Sequence, residues 1–81
     1  MQAIQTKYIG PSDSRGSRVK ATADAGTITV SYDHALGIEG NHAAAAVALC
    51  RKLGWPGTLV GGGLKDNSYV FVFLNSDRIK I

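Results

Sequence analysis

Eighty-one residues, 44% of them apolar, with a formal net charge of +3, suffice for one compact core and not two, because small chains bury a smaller share of their surface. Cys50 is the single cysteine, which excludes an intramolecular disulfide and a multi-cysteine zinc site and fits a reducing compartment. No apolar run approaches the roughly 20 residues that span a bilayer and no signal-peptide pattern opens the chain, so the expectation is one domain over residues 1–81, located in the cytoplasm, with no membrane partner.

Gln2 to Ile9 alternates loosely through Ile4, Tyr8 and Ile9 and reads as a first strand that ends at Gly10-Pro11. Ser12 to Ser17 is rich in turn residues and nearly devoid of apolar side chains, which predicts an exposed, mobile loop. Arg18 to Asp24 alternates cleanly, with Val19, Ala21 and Ala23 on one face and Arg18, Lys20 and Thr22 on the other. Thr27 to Tyr32 repeats the pattern with Ile28, Val30 and Tyr32 inward. Asp24-Ala25-Gly26 between them is a hairpin connection in which Gly26 is expected to take the left-handed position.

Asp33 to Gly40 reads as a connector with two glycines. Asn41 is a good N-cap, because its side-chain oxygen can accept from the unpaired N–H groups of a first helical turn. A helix is predicted over His42 to Leu53, with an apolar stripe of Ala43, Ala46, Val47, Cys50 and Leu53, widened by Leu49. Arg51 and Lys52 complement the dipole in its last turn, Gly54 is the expected left-handed C′ residue, and Trp55 is placed to fold back on Cys50 as in a Schellman motif before Pro56.

Thr58 to Val60 is a short strand running into Gly61-Gly62-Gly63, and Lys65 to Ser68 is a turn. Tyr69 to Leu74 is apolar on both faces and reads as a central, doubly covered strand. Ile79 and Ile81 alternate with Arg78 and Lys80, consistent with either a short edge strand or a frayed tail. The expected fold class is α+β, an antiparallel sheet of four to five strands with one helix on one face, in the order β-β-β-α-β-β.

The residue types able to carry chemistry do not assemble a catalytic or metal motif. Gly57 to Lys65 invites a phosphate-loop reading, but such a loop needs Gly-Lys-Ser/Thr or GxGxxG ahead of a helix, and here a strand follows. A bulge or flexible hairpin arm is the expectation, with Gly62 and Lys65 kept as secondary contact candidates. His34 and His42 stand near Asp33 and Glu39 without an HxxxH or HExxH pair. They are secondary binding candidates as pH-sensitive contacts, with His42 expected to face solvent or bond locally. Cys50 lies on the helix stripe and reads as an inert core thiol, and Ser12, Ser14 and Ser17 fit no triad pattern. The expectation is a protein that is not an enzyme and needs no cofactor or metal.

Lys7, Arg15, Arg18 and Lys20 are the leading binding candidates. Arg18 and Lys20 share one strand face, Arg15 stands on the loop before it, and Lys7 joins them if the first two strands pair. Such a patch can meet phosphates or carboxylates; the alternative is a solvated sheet face. Exposed aromatic rings would sharpen a nucleic-acid reading, and the rings here are expected to point mostly inward.

Met1 to Tyr8, Arg15-Gly16-Ser17-Arg18, Tyr32 to Leu36, Asn41-His42, Lys52-Leu53-Gly54-Trp55, Gly61-Gly62-Gly63-Leu64 and Tyr69 to Phe73 resemble short proteins of unknown function carried by bacteriophages and mobile elements of proteobacteria. The resemblance brings no established activity and no functional residues. By analogy of size and source it implies an accessory protein that binds and inhibits a host macromolecular machine in the bacterial cytoplasm, most concretely an anti-CRISPR-type inhibitor, with a host protein or ribonucleoprotein complex as partner. The alternative is a small nucleic-acid-binding module using the basic strand face. Salt dependence separates the two, because phosphate contacts weaken linearly in log–log terms with added salt. An open edge at Thr58 to Val60 or the C-terminal segment could also extend the sheet into a homodimer.

Overall fold

The computed structural model describes residues 2–74. Five strands and one helix follow the expected order: β1 (Ile4–Ile9), β2 (Arg18–Ala23), β3 (Gly26–Ser31), α1 (Gly37–Leu53), β4 (Leu59–Gly63) and β5 (Tyr69–Phe73). They form one antiparallel sheet in the order β3-β2-β1-β5-β4 with the helix across one face. The segment Ile79 to Ile81 lies outside the described residues.

The alternation in β2 works as expected, since Val19 and Ala21 are buried under the helix while Lys20 and Thr22 are exposed. Ile4, Ala45, Ala46, Leu49, Cys50 and Phe71 complete a small core in which alanines let the helix lie close to the sheet. β5 is interior to the sheet but covered on one face only. Phe71 is buried on the helix side, whereas Val72 is 42% exposed on the other, because among the described residues no second layer packs there. The apolar run reflects a strand flanked on both edges, not one sandwiched between layers.

Several local expectations are corrected. The helix begins at Gly37, a full turn before His42, and Asn41 does not cap it. Asn41 is buried and its side chain mimics a peptide group: Oδ1 accepts from the Asp33 N–H at 2.7 Å, and Nδ2 donates to the Asp33 and Gly37 carbonyls at 2.7 and 2.6 Å. These tertiary bonds stabilise a first turn whose two glycines have poor intrinsic helix propensity. The buried stripe is rotated accordingly to Asn41, His42, Ala45, Ala46, Leu49 and Cys50, and Val47 is exposed.

Gly26 is not left-handed. The turn residues are Asp24 and Ala25, Gln2 Oε1 accepts from the Ala25 N–H at 2.8 Å, and Gly26 pairs with Ala23 in the ladder. Its missing Cβ instead makes room for the Leu53 side chain. Ser12 to Gly16 is exposed, as expected, and reciprocal backbone hydrogen bonds of 2.8 and 3.3 Å join Ser12 and Arg15.

The glycine run is one arm of the β4–β5 hairpin, paired as a strand with no bulge. Gly61, Gly62 and Gly63 pair with Phe71, Val70 and Tyr69. The Phe71 ring lies across Gly61 so closely that any Cβ there would overlap it, an aromatic side chain covering a glycine on an edge strand. β4 stands at a sheet edge, in line with the expectation for Thr58 to Val60. The helix terminus matches its sequence signature: Gly54 has φ 72°, its N–H points to the Arg51 carbonyl, and the Trp55 N–H donates to the Cys50 carbonyl at 2.8 Å.

Candidate functional site

The sheet face opposite the helix divides into a basic, hydroxyl-rich half on β1 to β3 and an apolar half on β4 and β5. Register sets the basic half. Lys7 lies directly opposite Lys20, and Arg18 opposite both Ile9 and Ser31, with Thr29 and Thr22 alongside. Lys7 and Lys20 are exposed and Arg18 is half-buried. Like charges facing each other across a ladder oppose strand pairing. Asp66 lies within electrostatic reach of Lys7, but its carboxyl is held below the usual carboxylate range chiefly by the Ser68 hydroxyl and backbone N–H, at 2.5 and 3.1 Å.

Of the four leading candidates, β1–β2 pairing brings Lys7, Arg18 and Lys20 onto one face. Arg15 stands on the loop before β2, as expected. With Arg18, Arg15 lines a polar cleft of about 470 Å³ at the end of β3, walled also by Ser17, Ser31, Tyr32 and His34. Arg18 Nε is shut off from solvent and has no hydrogen-bond partner among the described residues. Such an orphan donor is costly unless something binds it.

Beyond Tyr32 and His34 the surface turns aromatic. A second cleft of about 430 Å³ is lined by Tyr8, Tyr32, His34, Ile38, His42 and Asn67. Tyr8 meets Tyr32 edge-on at 5.6 Å between centroids, and Tyr32 meets His34 at 5.1 Å. The Tyr8 hydroxyl is 2.8 Å from Ser17 Oγ. These rings point to the helix side as expected, yet they lie past the start of the helix, which leaves Tyr8 49% exposed.

His42 forms the floor of this second cleft, 1% exposed and so neither solvent-facing nor bonded within its own helix. Its Nδ1 is 2.6 Å from Thr6 Oγ1, and its ring packs on Tyr69 at 4.4 Å. Burial pushes its pKa below 6.5, and hydrogen bonding with Thr6 opposes this only in part. Gly62 sits apart, on the apolar half of the open face beside Val70, with free space above it, and Lys65 is exposed in the β4–β5 turn.

Among the described residues no three His, Cys, Asp or Glu side chains come together to hold a metal ion. Cys50 is buried, and desolvation raises its thiol pKa, which disfavours the nucleophilic thiolate. Among the described residues no helix is long and apolar enough to cross a membrane. Sequence reasoning missed the role of Tyr8 and Tyr32 as cleft walls; the offset between the strand ends and the helix start, once the helix is placed, is the signal that reveals it. No protein-family model, curated protein or solved structure matches the chain.

Proposed function

We propose that the chain is a non-catalytic accessory protein of a bacteriophage or other mobile element, which binds a host macromolecular machine through its basic surface and blocks it. A CRISPR–Cas complex is the most concrete target. The reading is supported above all by Lys7 standing opposite Lys20 on a bare sheet face. Two lysines there weaken strand pairing, and an anionic partner would reverse the sign of that contribution.

The test is protection of a phage in a bacterial host whose CRISPR–Cas system restricts it. Expression of the chain is expected to restore plaque formation, and a folded Lys7→Glu, Lys20→Glu variant to lose the effect together with capture of the complex from nuclease-treated lysate. Full protection by that folded variant would refute the surface assignment. Absence of protection by the wild-type chain would refute the target.

A second reading, a nucleic-acid-binding module, is favoured by one observation: Tyr8, Tyr32 and His34 form an accessible aromatic wall beside Arg15 and Arg18. Under this reading the captured complex disappears on nuclease treatment, and affinity falls steeply with salt.

A further inference from the structure

The two clefts at the β3 end of the sheet share a wall. Tyr32 and His34 line both, with Arg15 and Arg18 on one side and Tyr8, Ile38 and His42 on the other. Among the described residues no acidic side chain lines either cleft. The nearby carboxylates Asp33 and Asp66 are engaged locally, Asp33 accepting from the Ala35 N–H at 2.9 Å and Asp66 from Ser68.

We infer that this pair of clefts is a binding site for one nucleotide unit of a single-stranded nucleic acid, with the phosphate at Arg15 and Arg18 and the base against Tyr8, Tyr32 and His34. The inference deepens the nucleic-acid reading and rests on it. Arginine guanidinium groups match phosphate oxygens with paired donors, and Arg15 and Arg18 both line the polar cleft. Ser17 and Ser31 add hydroxyl donors of the kind that commonly contact backbone phosphates.

The neighbouring cleft has the complementary chemistry. It is lined by two tyrosines, two histidines, Ile38 and Asn67, so it offers a ring-lined, largely apolar surface against which a flat heterocycle stacks. Sharing Tyr32 and His34 puts the two chemistries side by side, as a phosphate and its own base are. A duplex keeps its base faces stacked and out of reach, which selects single strands. An acidic peptide would satisfy the arginine cleft but leave the aromatic one without a partner.

The experiment is fluorescence anisotropy of the whole chain with labelled oligothymidylate, an abasic strand of equal length and charge, the matching duplex, and a polyglutamate peptide. The intact single strand is expected to bind about tenfold tighter than the abasic one, a typical stacking contribution for one base. Tyr8→Ala is expected to abolish that difference without changing abasic affinity. Arg15→Gln with Arg18→Gln is expected to weaken both strands and lower the salt slope by about 1. Should Tyr8→Ala fail to fold by circular dichroism, His34→Ala replaces it, and the wild-type comparison of intact and abasic strands needs no variant. Equal affinity for the two strands, or tighter binding of duplex or polyglutamate, overturns the nucleotide site while leaving the basic surface. No binding of any strand at low salt overturns the nucleic-acid reading and the site together.

Discussion

His42 Nδ1 lies 2.6 Å from Thr6 Oγ1, a polar pair buried where the first turns of α1 cross β1. Because burial lowers the histidine pKa, the folded state resists a proton that the unfolded chain accepts near pH 6.5. Stability is therefore present above pH 6.5 and is lost as pH falls from there through the folded-state value. Melting followed from pH 8 to pH 5 is expected to show a falling midpoint, and His42→Gln to flatten that slope. Asp66 acts in a separate, lower window, since its depressed pKa gives stability that is lost only below its ordinary value of 3.8. A wild-type midpoint constant from pH 8 to pH 5 would contradict the burial of His42.

Asn41→Ala removes the partner of the Asp33 N–H and of two carbonyls and is expected to cost about 2 kcal/mol. Asn41→Asp keeps the acceptor but loses both donated bonds, and sets a carboxylate against the Asp33 and Gly37 carbonyls, so it should destabilise at least as much. Urea unfolding midpoints decide the matter. A near-neutral Asn41→Ala would mean that the connector is held by other groups.

The neighbouring glycines of β4 should respond oppositely to the same change. Gly61→Ala forces a methyl group into the Phe71 ring and should cost about 1–3 kcal/mol. Gly62→Ala faces open space and is expected to lie within about 0.5 kcal/mol of wild type, aided by a less flexible unfolded chain. Equal effects in denaturant titrations would argue against this register of β4 on β5.

Gly54 is left-handed at the helix end, so Gly54→Ala should cost about 1 kcal/mol without any loss of contact. The thermal midpoint measures it, and an unchanged value would remove the C′ assignment.

Cys50 is 7% exposed and its thiolate is disfavoured by burial. A thiol reagent is expected to modify it slowly in native buffer and completely in denaturant. Rapid native labelling would contradict its place under the helix.

Legibility followed the physics of each segment. β2 and β3 are plain in the sequence because one face is covered and the other is bare, so alternation survives in the side chains. β4 is legible only at Leu59 and Val60: the glycines that follow carry no alternating signal, and Gly61 pairs with Phe71, ten residues away in sequence. The early helix start depends on Asn41 reaching back to Asp33, a contact that local propensity does not encode. The adjacency of Lys7 and Lys20 follows from the period of two once β1 and β2 pair. The joined clefts do not, because they need β1, β2 and β3 side by side and a helix that stops short of their ends.

The sheet order places β1 beside β5, the first strand against the last of the five. A nascent chain synthesised only as far as α1 can form the β1–β2–β3 meander and dock the helix, yet it still carries an unpaired β1 edge and lacks Phe71 in its core. On a ribosome that edge stays open to other growing chains until β5 emerges, so the segment most exposed to mispairing during synthesis is the one that ends near the middle of the finished sheet.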